Sequence, residues 1–162
     1  SRALADQLMS ELKTELGQAL QQGGAVAAIT VCKSRAPEIA ARLSASSGAE
    51  VKRTAIRLRN PANAPDDLER AVMQGFAAEL SGASPVASVP PEAIFESRSA
   101  QGTERRYLRA IVMQPVCLAC HGTTLAPDIA TAIAREYPQD AATGFETGEL
   151  RGAVTVRWPA TR

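Results

Sequence analysis

Leu4, Leu8, Leu12, Leu16 and Leu20 recur every fourth residue, with Met9 alongside, until Gly23 and Gly24 interrupt the series. This spacing predicts an amphipathic helix over residues 1–23 with a narrow apolar seam. The seam has two readings. It packs on the domain's own core, or it pairs with a partner, as in a homodimer or the continuation of a membrane segment upstream of Ser1. Residues 25–32, AVAAITVC, are apolar and β-branched towards the end, and predict a buried strand. Ser34 is placed to cap a helix that has Pro37 near its start and Ile39, Ala40 and Leu43 on one face, with Gly48 ending it.

Residues 51–58 predict a further strand, and the Asn-Pro and Ala-Pro steps of RNPANAPDD an irregular turn. Asp66 is a natural cap for a helix carrying Leu68, Val72, Phe76 and Leu80. Residues 82–91, rich in small residues and proline, form a loop. Residues 93–97 and 104–113 predict two strands across a turn that includes Gln101 and Gly102. A short helix with Ile129 and Ile133 follows, then a final strand over residues 150–158, and no internal repeat is visible. The order predicts an α+β fold with helices on a mostly antiparallel sheet. The N-terminal helix takes residues 1–23 and one domain takes residues 24–162.

With 162 residues, 45% of them hydrophobic, the chain is long enough for a buried core. A net charge of +1 provides no field for nucleic acid, and no apolar run approaches a bilayer span. The start at Ser1, without a leader, leads us to expect a processed product whose export signal or membrane anchor has been removed. Three cysteines do not make a disulfide framework, and the chain has one histidine.

Two of those cysteines and that histidine form C-x-x-C-H: Cys117, Cys120 and His121. Two thiols at this spacing can add across the two vinyl groups of one haem, and the adjacent imidazole then lies beneath the ring to bind iron. Pro115 precedes the loop and Gly122 leaves it. A zinc site would need a second ligand pair, whereas only Cys32 remains. A thioredoxin-like dithiol would open a helix, which Pro127 delays. The motif therefore predicts one covalently bound haem c, attached through Cys117 and Cys120.

With a single histidine, a bis-histidine haem within one chain is excluded. The second axial position is left to Met9, Met73, Met113, Cys32, the three lysines or no residue at all. Met73 and Met9 have core explanations, and Met113 stands close before the attachment loop. Cys32 is followed by Lys33 and Arg35, whose charges could stabilise a thiolate; a lone cysteine is otherwise a small core residue.

Four segments belong together: VCK at 31–33, RTAIRLRNPANAPD at 53–66, CLACHG at 117–122 and YPQDAATGFETGELRGA at 137–153. In these the chain resembles the single-haem c-type cytochromes with a PAS-like fold, a haem-sensor family catalogued as a domain of unknown function. The resemblance implies a five-stranded antiparallel sheet flanked by helices. It also implies an axial pair of His121 and the Cys32 thiolate. Ala55 stands where the family pattern leads us to expect a small hydroxyl residue. In an extended strand Arg53, Ala55, Arg57 and Arg59 share one face, with Ile56 and Leu58 on the other. Their guanidinium groups suit haem propionates, with Asn60 and Asn63 as further donors, although a solvated strand face is the simpler alternative.

The expected function is a low-potential redox or diatomic-gas sensor module, in which Cys32 departs on reduction and opens a position for CO or NO. The alternative is a single-haem electron carrier. No acid–base residue beside the ligands points to an enzyme. Covalent haem attachment implies a periplasmic or otherwise extracytoplasmic location, with an unidentified signalling or redox partner.

Overall fold

The computed structural model describes residues 1–82, 89–100 and 102–161. Its elements are α1 (Arg2–Ser47), β1 (Glu50–Thr54), a 3-10 turn (Pro61–Asn63), α2 (Asp67–Gly82), β2 (Glu92–Ser99) and β3 (Gly102–Val112). A second 3-10 turn (Pro115–Cys117), α3 (Leu118–His121), α4 (Pro127–Glu136) and β4 (Leu150–Thr161) complete the chain. The strands form one antiparallel sheet in the order β1-β4-β3-β2, so the last strand lies inside it. The α+β class is as expected, with four strands among the described residues where the resemblance implied five. The hairpin forms in register, Ser97 opposite Glu104. Gln101 of its turn, and residues 83–88 of the expected loop, lie outside the described residues.

The largest departure is at residues 25–32. They are helical, and α1 is two arms joined at Gly23 (φ −148°, ψ 16°) and Gly24 (φ 66°, ψ −166°), the latter a conformation open essentially only to glycine. The arms run back along each other: Arg35 pairs with Glu15 at 3.1 Å, and Arg42 pairs with Glu11. Such exposed pairs contribute little, and burial does the holding. Ala5 and Leu8 of the first arm and Ile39 and Leu43 of the second share a core with Val51, Tyr107, Val154 and Val156 of the sheet. Each large side chain there contributes roughly 1.5–3 kcal/mol. The N-terminal seam thus serves the chain's own sheet.

Ser34 is not a cap. It lies mid-helix and its hydroxyl donates to the Thr30 carbonyl at 3.1 Å. Pro37 is inside the helix. Gly48 does end α1, with φ 75° and its N–H on the Ser44 carbonyl at 3.0 Å. The strand expected over residues 51–58 stops at Thr54, because Ala55 N–H and Thr54 Oγ1 both turn to the Asn63 carbonyl, at 3.1 and 3.3 Å.

Asp66 caps α2 as expected. Its carboxylate accepts from Glu69 N–H at 2.8 Å, and Glu69 accepts from Asp66 N–H at 3.1 Å, a reciprocal capping box. Met73 and Phe76 of α2 cover the second face of the sheet over Leu108, Ala110 and Ala153. Ile129 and Ile133 of α4 pack on Ile29 of the second α1 arm, which carries that arm towards α3.

Candidate functional site

The attachment motif occupies the second 3-10 turn and α3. Cys117 N–H bonds the Gln114 carbonyl at 2.9 Å, and Gly122 N–H closes α3 on the Leu118 carbonyl at 2.9 Å. Helical spacing puts Cys117 and Cys120 on one side. Gly122 and Phe145 form a parallel bridge, and Phe145 N–H donates to the His121 carbonyl at 2.9 Å, fastening the motif to the 137–149 segment.

The His121 ring lies 2.6 Å through Nδ1 from the Ala142 carbonyl. A carbonyl only accepts, so Nδ1 carries the proton and Nε2 keeps a free lone pair, the tautomer that a metal needs. Burial, reinforced by Arg151 and Arg59, holds the imidazole down to about 3, so it is neutral at physiological pH. Phe145 stands edge-on to it, 6.3 Å between ring centres at 83°.

Cys32 lies one turn beyond Ile29 on α1, and Ile29 shares its apolar cluster with Cys120. The three thiols are close enough to interact electrostatically. Burial pushes the Cys32 thiol up, while Arg53, Arg59 and Arg151 pull it down. The neighbours expected to stabilise a thiolate do not. Lys33 pairs with Glu136 at 3.1 Å and Arg35 with Glu15 and Glu38, because successive residues on a helix point in different directions. Met9, Met73 and Met113 belong to three separate apolar clusters.

The single arginine-bearing strand face does not exist, since only Arg53 lies within β1. Arg53 is largely shielded, and its guanidinium has no hydrogen-bonding partner among the described residues. Arg57 lies 4.0 Å above the Phe145 ring and donates to the carbonyls of Thr143 and, at 3.3 Å, Ala141. Arg59 is buried against Asp140 at 3.0 Å and donates to the Cys120 carbonyl at 2.6 Å. Asn60 caps the first 3-10 turn through Oδ1, accepting from Ala62 N–H at 3.0 Å, and Asn63 contributes its carbonyl to the end of β1.

Arg151 escaped the sequence reading. It falls where the β3–β4 register shifts between Ile111 and Val112, so strand alternation does not aim it. Its guanidinium donates to the Arg57 carbonyl at 3.1 Å and lies 5.6 Å from the Phe145 ring centre. Burial and the neighbouring arginines lower it to about 10. Tyr137, set aside as packing, is buried beside Cys32 and Arg53, which perturb it after burial itself. The signal for Arg151, Tyr137, Asp140 and Phe145 was their place in the 137–153 segment.

A cavity of about 470 Å³ opens on the α2 side, walled by Ala77, Leu80, Met113, Phe145, Arg57 and Arg151 among others. None of the three cysteines nor His121 lines it. Among the described residues no three His, Cys, Asp or Glu side chains are grouped to hold a metal ion by themselves.

Comparison with known proteins places this architecture. A solved structure, that of the cyanobacterial heme-protein Tll0287, is 26% identical, with 99% of this chain and 91% of that one covered and a TM-score of 0.63. A search of curated proteins gave no match. The Tll0287-like family model matches residues 1–159, which include Cys32, the four arginines and the C-x-x-C-H motif, and the chain belongs to that family.

Proposed function

We propose that the chain is a covalent c-type haem-binding module that senses redox state or a diatomic gas, with His121 and Cys32 as axial ligands. The observation that carries the reading is convergence. A cysteine from the second arm of α1 meets, across 85 or more residues of sequence, the Cys117, Cys120 and His121 cluster. One imidazole with a free Nε2 and one further thiol are too few donors for a bare metal ion, and suit a group that brings its own nitrogens. Cys117 and Cys120 supply the thioether sulfurs, and Arg53, Arg57, Arg59, Asn60 and Asn63 supply donors for the propionates. The solved relative's description as a heme-protein supports the same reading.

Bound there, haem iron would supply a one-electron centre whose potential a thiolate ligand lowers. Cys32 is the switch. Burial pushes its thiol up despite Arg53, Arg59 and Arg151, so a sulfur that gains a proton on reduction would leave as the neutral thiol the surroundings favour. Its helix passes Gly48 directly into β1 and folds back on the first arm, a rigid route from the thiol to the outer surface of α1. The downstream protein would read that surface. On this reading the domain works outside the cytoplasm, where covalent haem attachment is carried out; among the described residues no helix is long and apolar enough to cross a membrane.

Reductive titration under CO tests the reading. The parent should lose its thiolate spectrum on reduction and bind CO rapidly. A haem that stays six-coordinate in both states and excludes CO would instead make the chain an electron carrier.

A further inference from the structure

A smaller space, of about 40 Å³, lies away from the attachment motif, between the cap of α2 and the sheet. Strand alternation and pairing gather its sheet wall. Thr155 of β4 stands opposite Lys52 of β1, and Arg157, two residues on, stands between Glu50 and Arg106. Asp66 and Glu69, the reciprocal capping pair, close the space from the helix side. Two buried atoms among these residues have no hydrogen-bonding partner: Thr155 Oγ1 and Arg106 Nε. Thr155 is only 1% exposed, so bulk solvent does not serve it. Two unmet polar atoms on one small space are destabilising unless something joins them.

Size, charge and bonding decide what that is. One water takes roughly 30 Å³ in the liquid, so the space suits a single small molecule and excludes phosphate, sulfate or an organic ligand. The surrounding charges already answer one another. Arg106 pairs with Asp66 and, at 3.0 Å, with Glu104; Arg157 meets Glu104 at 2.7 Å, and Lys52 lies 3.3 Å from Glu69. An added ion of either sign would upset that balance in a shielded place. Arg106 Nε can only donate, which turns away a cation and demands an acceptor. Glu69 Oε2 accepts from Asp66 N–H at 3.1 Å, while its Oε1 accepts nothing among the described residues and can only take a donor. A neutral molecule that both accepts and donates meets all of these demands.

We propose that this space is a binding site for one resident water, which accepts from Arg106 Nε and Thr155 Oγ1 and donates to Glu69. The water joins the cap of α2 to β3 and β4, and Lys52 adds β1 through Glu69. Its effect reaches the core, because the cap sets where α2 starts and so how Met73 and Phe76 sit over Leu108 and Ala110. The site is independent of the haem reading: no residue of the attachment motif, nor Cys32, lines it.

Thr155→Val in the full chain tests the site by the sign of its effect, since valine keeps the shape and removes the hydroxyl. With a water bound, the variant loses one of that water's bonds, and the melting temperature falls by roughly 2–4 °C. With nothing bound, valine removes an unmet polar group, and an unchanged or raised melting temperature overturns the proposal. The fall should be the same in chloride and in sulfate at matched ionic strength. A fall in chloride alone assigns the space to a halide and overturns the water. Where the variant does not fold, a high-resolution crystal structure of the parent decides. One water peak within hydrogen-bonding reach of both Arg106 Nε and Thr155 Oγ1 supports the site, and no such peak overturns it.

Discussion

Asp140 is the hinge of the site's electrostatics. Its carboxylate meets Arg59 Nε at 3.0 Å and accepts from Ala142 N–H at 3.1 Å, and both members of the ion pair are about 10% exposed. Arg59 in turn holds the Cys120 carbonyl, and Ala142 offers its carbonyl to His121. Asp140→Ala therefore strips the counter-charge from a buried guanidinium surrounded by Arg53, Arg57 and Arg151. Breaking a buried pair from one side costs about 3–5 kcal/mol. In a domain of this length that corresponds to a fall in melting temperature of roughly 10 °C. Thermal unfolding followed by circular dichroism measures it, and a double-mutant cycle isolates it. Arg59→Met in the Asp140→Ala background should recover part of the loss, because the orphaned charge leaves with it. A shift of less than about 2 °C for Asp140→Ala, or strict additivity in the cycle, would refute the reasoning.

Three further outcomes follow from the same geometry. Gly24→Ala forces a side chain into φ 66°, ψ −166° and should cost about 1–3 kcal/mol, read as a lower urea midpoint; an unchanged midpoint means that the arms of α1 join differently. In the cofactor-free chain His121 is held down to about 3, so between there and its ordinary 6.5 the unfolded chain takes up a proton that the folded chain refuses. Stability therefore falls as pH drops through that window, by on the order of 4–5 kcal/mol in all, and a His121→Gln chain with the same acid slope would contradict this. Cys32→Ala should keep the covalent haem but change its ferric spin state and raise its potential. A variant whose ferric spectrum matches the parent removes Cys32 from the ligand set.

Much of the frame was legible in the chain. Asp66 and Gly48 mark real helix ends because their chemistry is local: a carboxylate facing free N–H groups, and a glycine with φ 75°. The segment at 25–32 misled because its apolar run is short and is flanked by two glycines and a Ser-x-x-Pro. Read past Cys32, the positions Ile29, Cys32, Ala36, Ile39 and Leu43 recur at alternating spacings of three and four, which is a helical seam. Cys32 is one member of that seam. Its nearness to Cys120 depends on how α1 turns at Gly24 and packs on α4, which no local pattern encodes.

The arginines divide in the same way. Arg53 and Arg59 drew notice in a basic run, but the run leaves the sheet at Thr54, so alternation assigned faces that the backbone does not present. Arg151 is one of two arginines in β4, aimed by an irregular register that appears only once β4 has paired with β3. The family resemblance found at the sequence level was sound, and it covered these residues without saying what each one touches.

Sulfur–carbon bonds at Cys117 and Cys120 are the foundation of the proposed haem site. Intact mass spectrometry of protein matured in a host with haem-attachment machinery tests this most directly. One porphyrin that stays on the chain through denaturation is the predicted result, lost when both cysteines are replaced by alanine. The mass of the polypeptide alone, from a host that matures other c-type cytochromes, would contradict it.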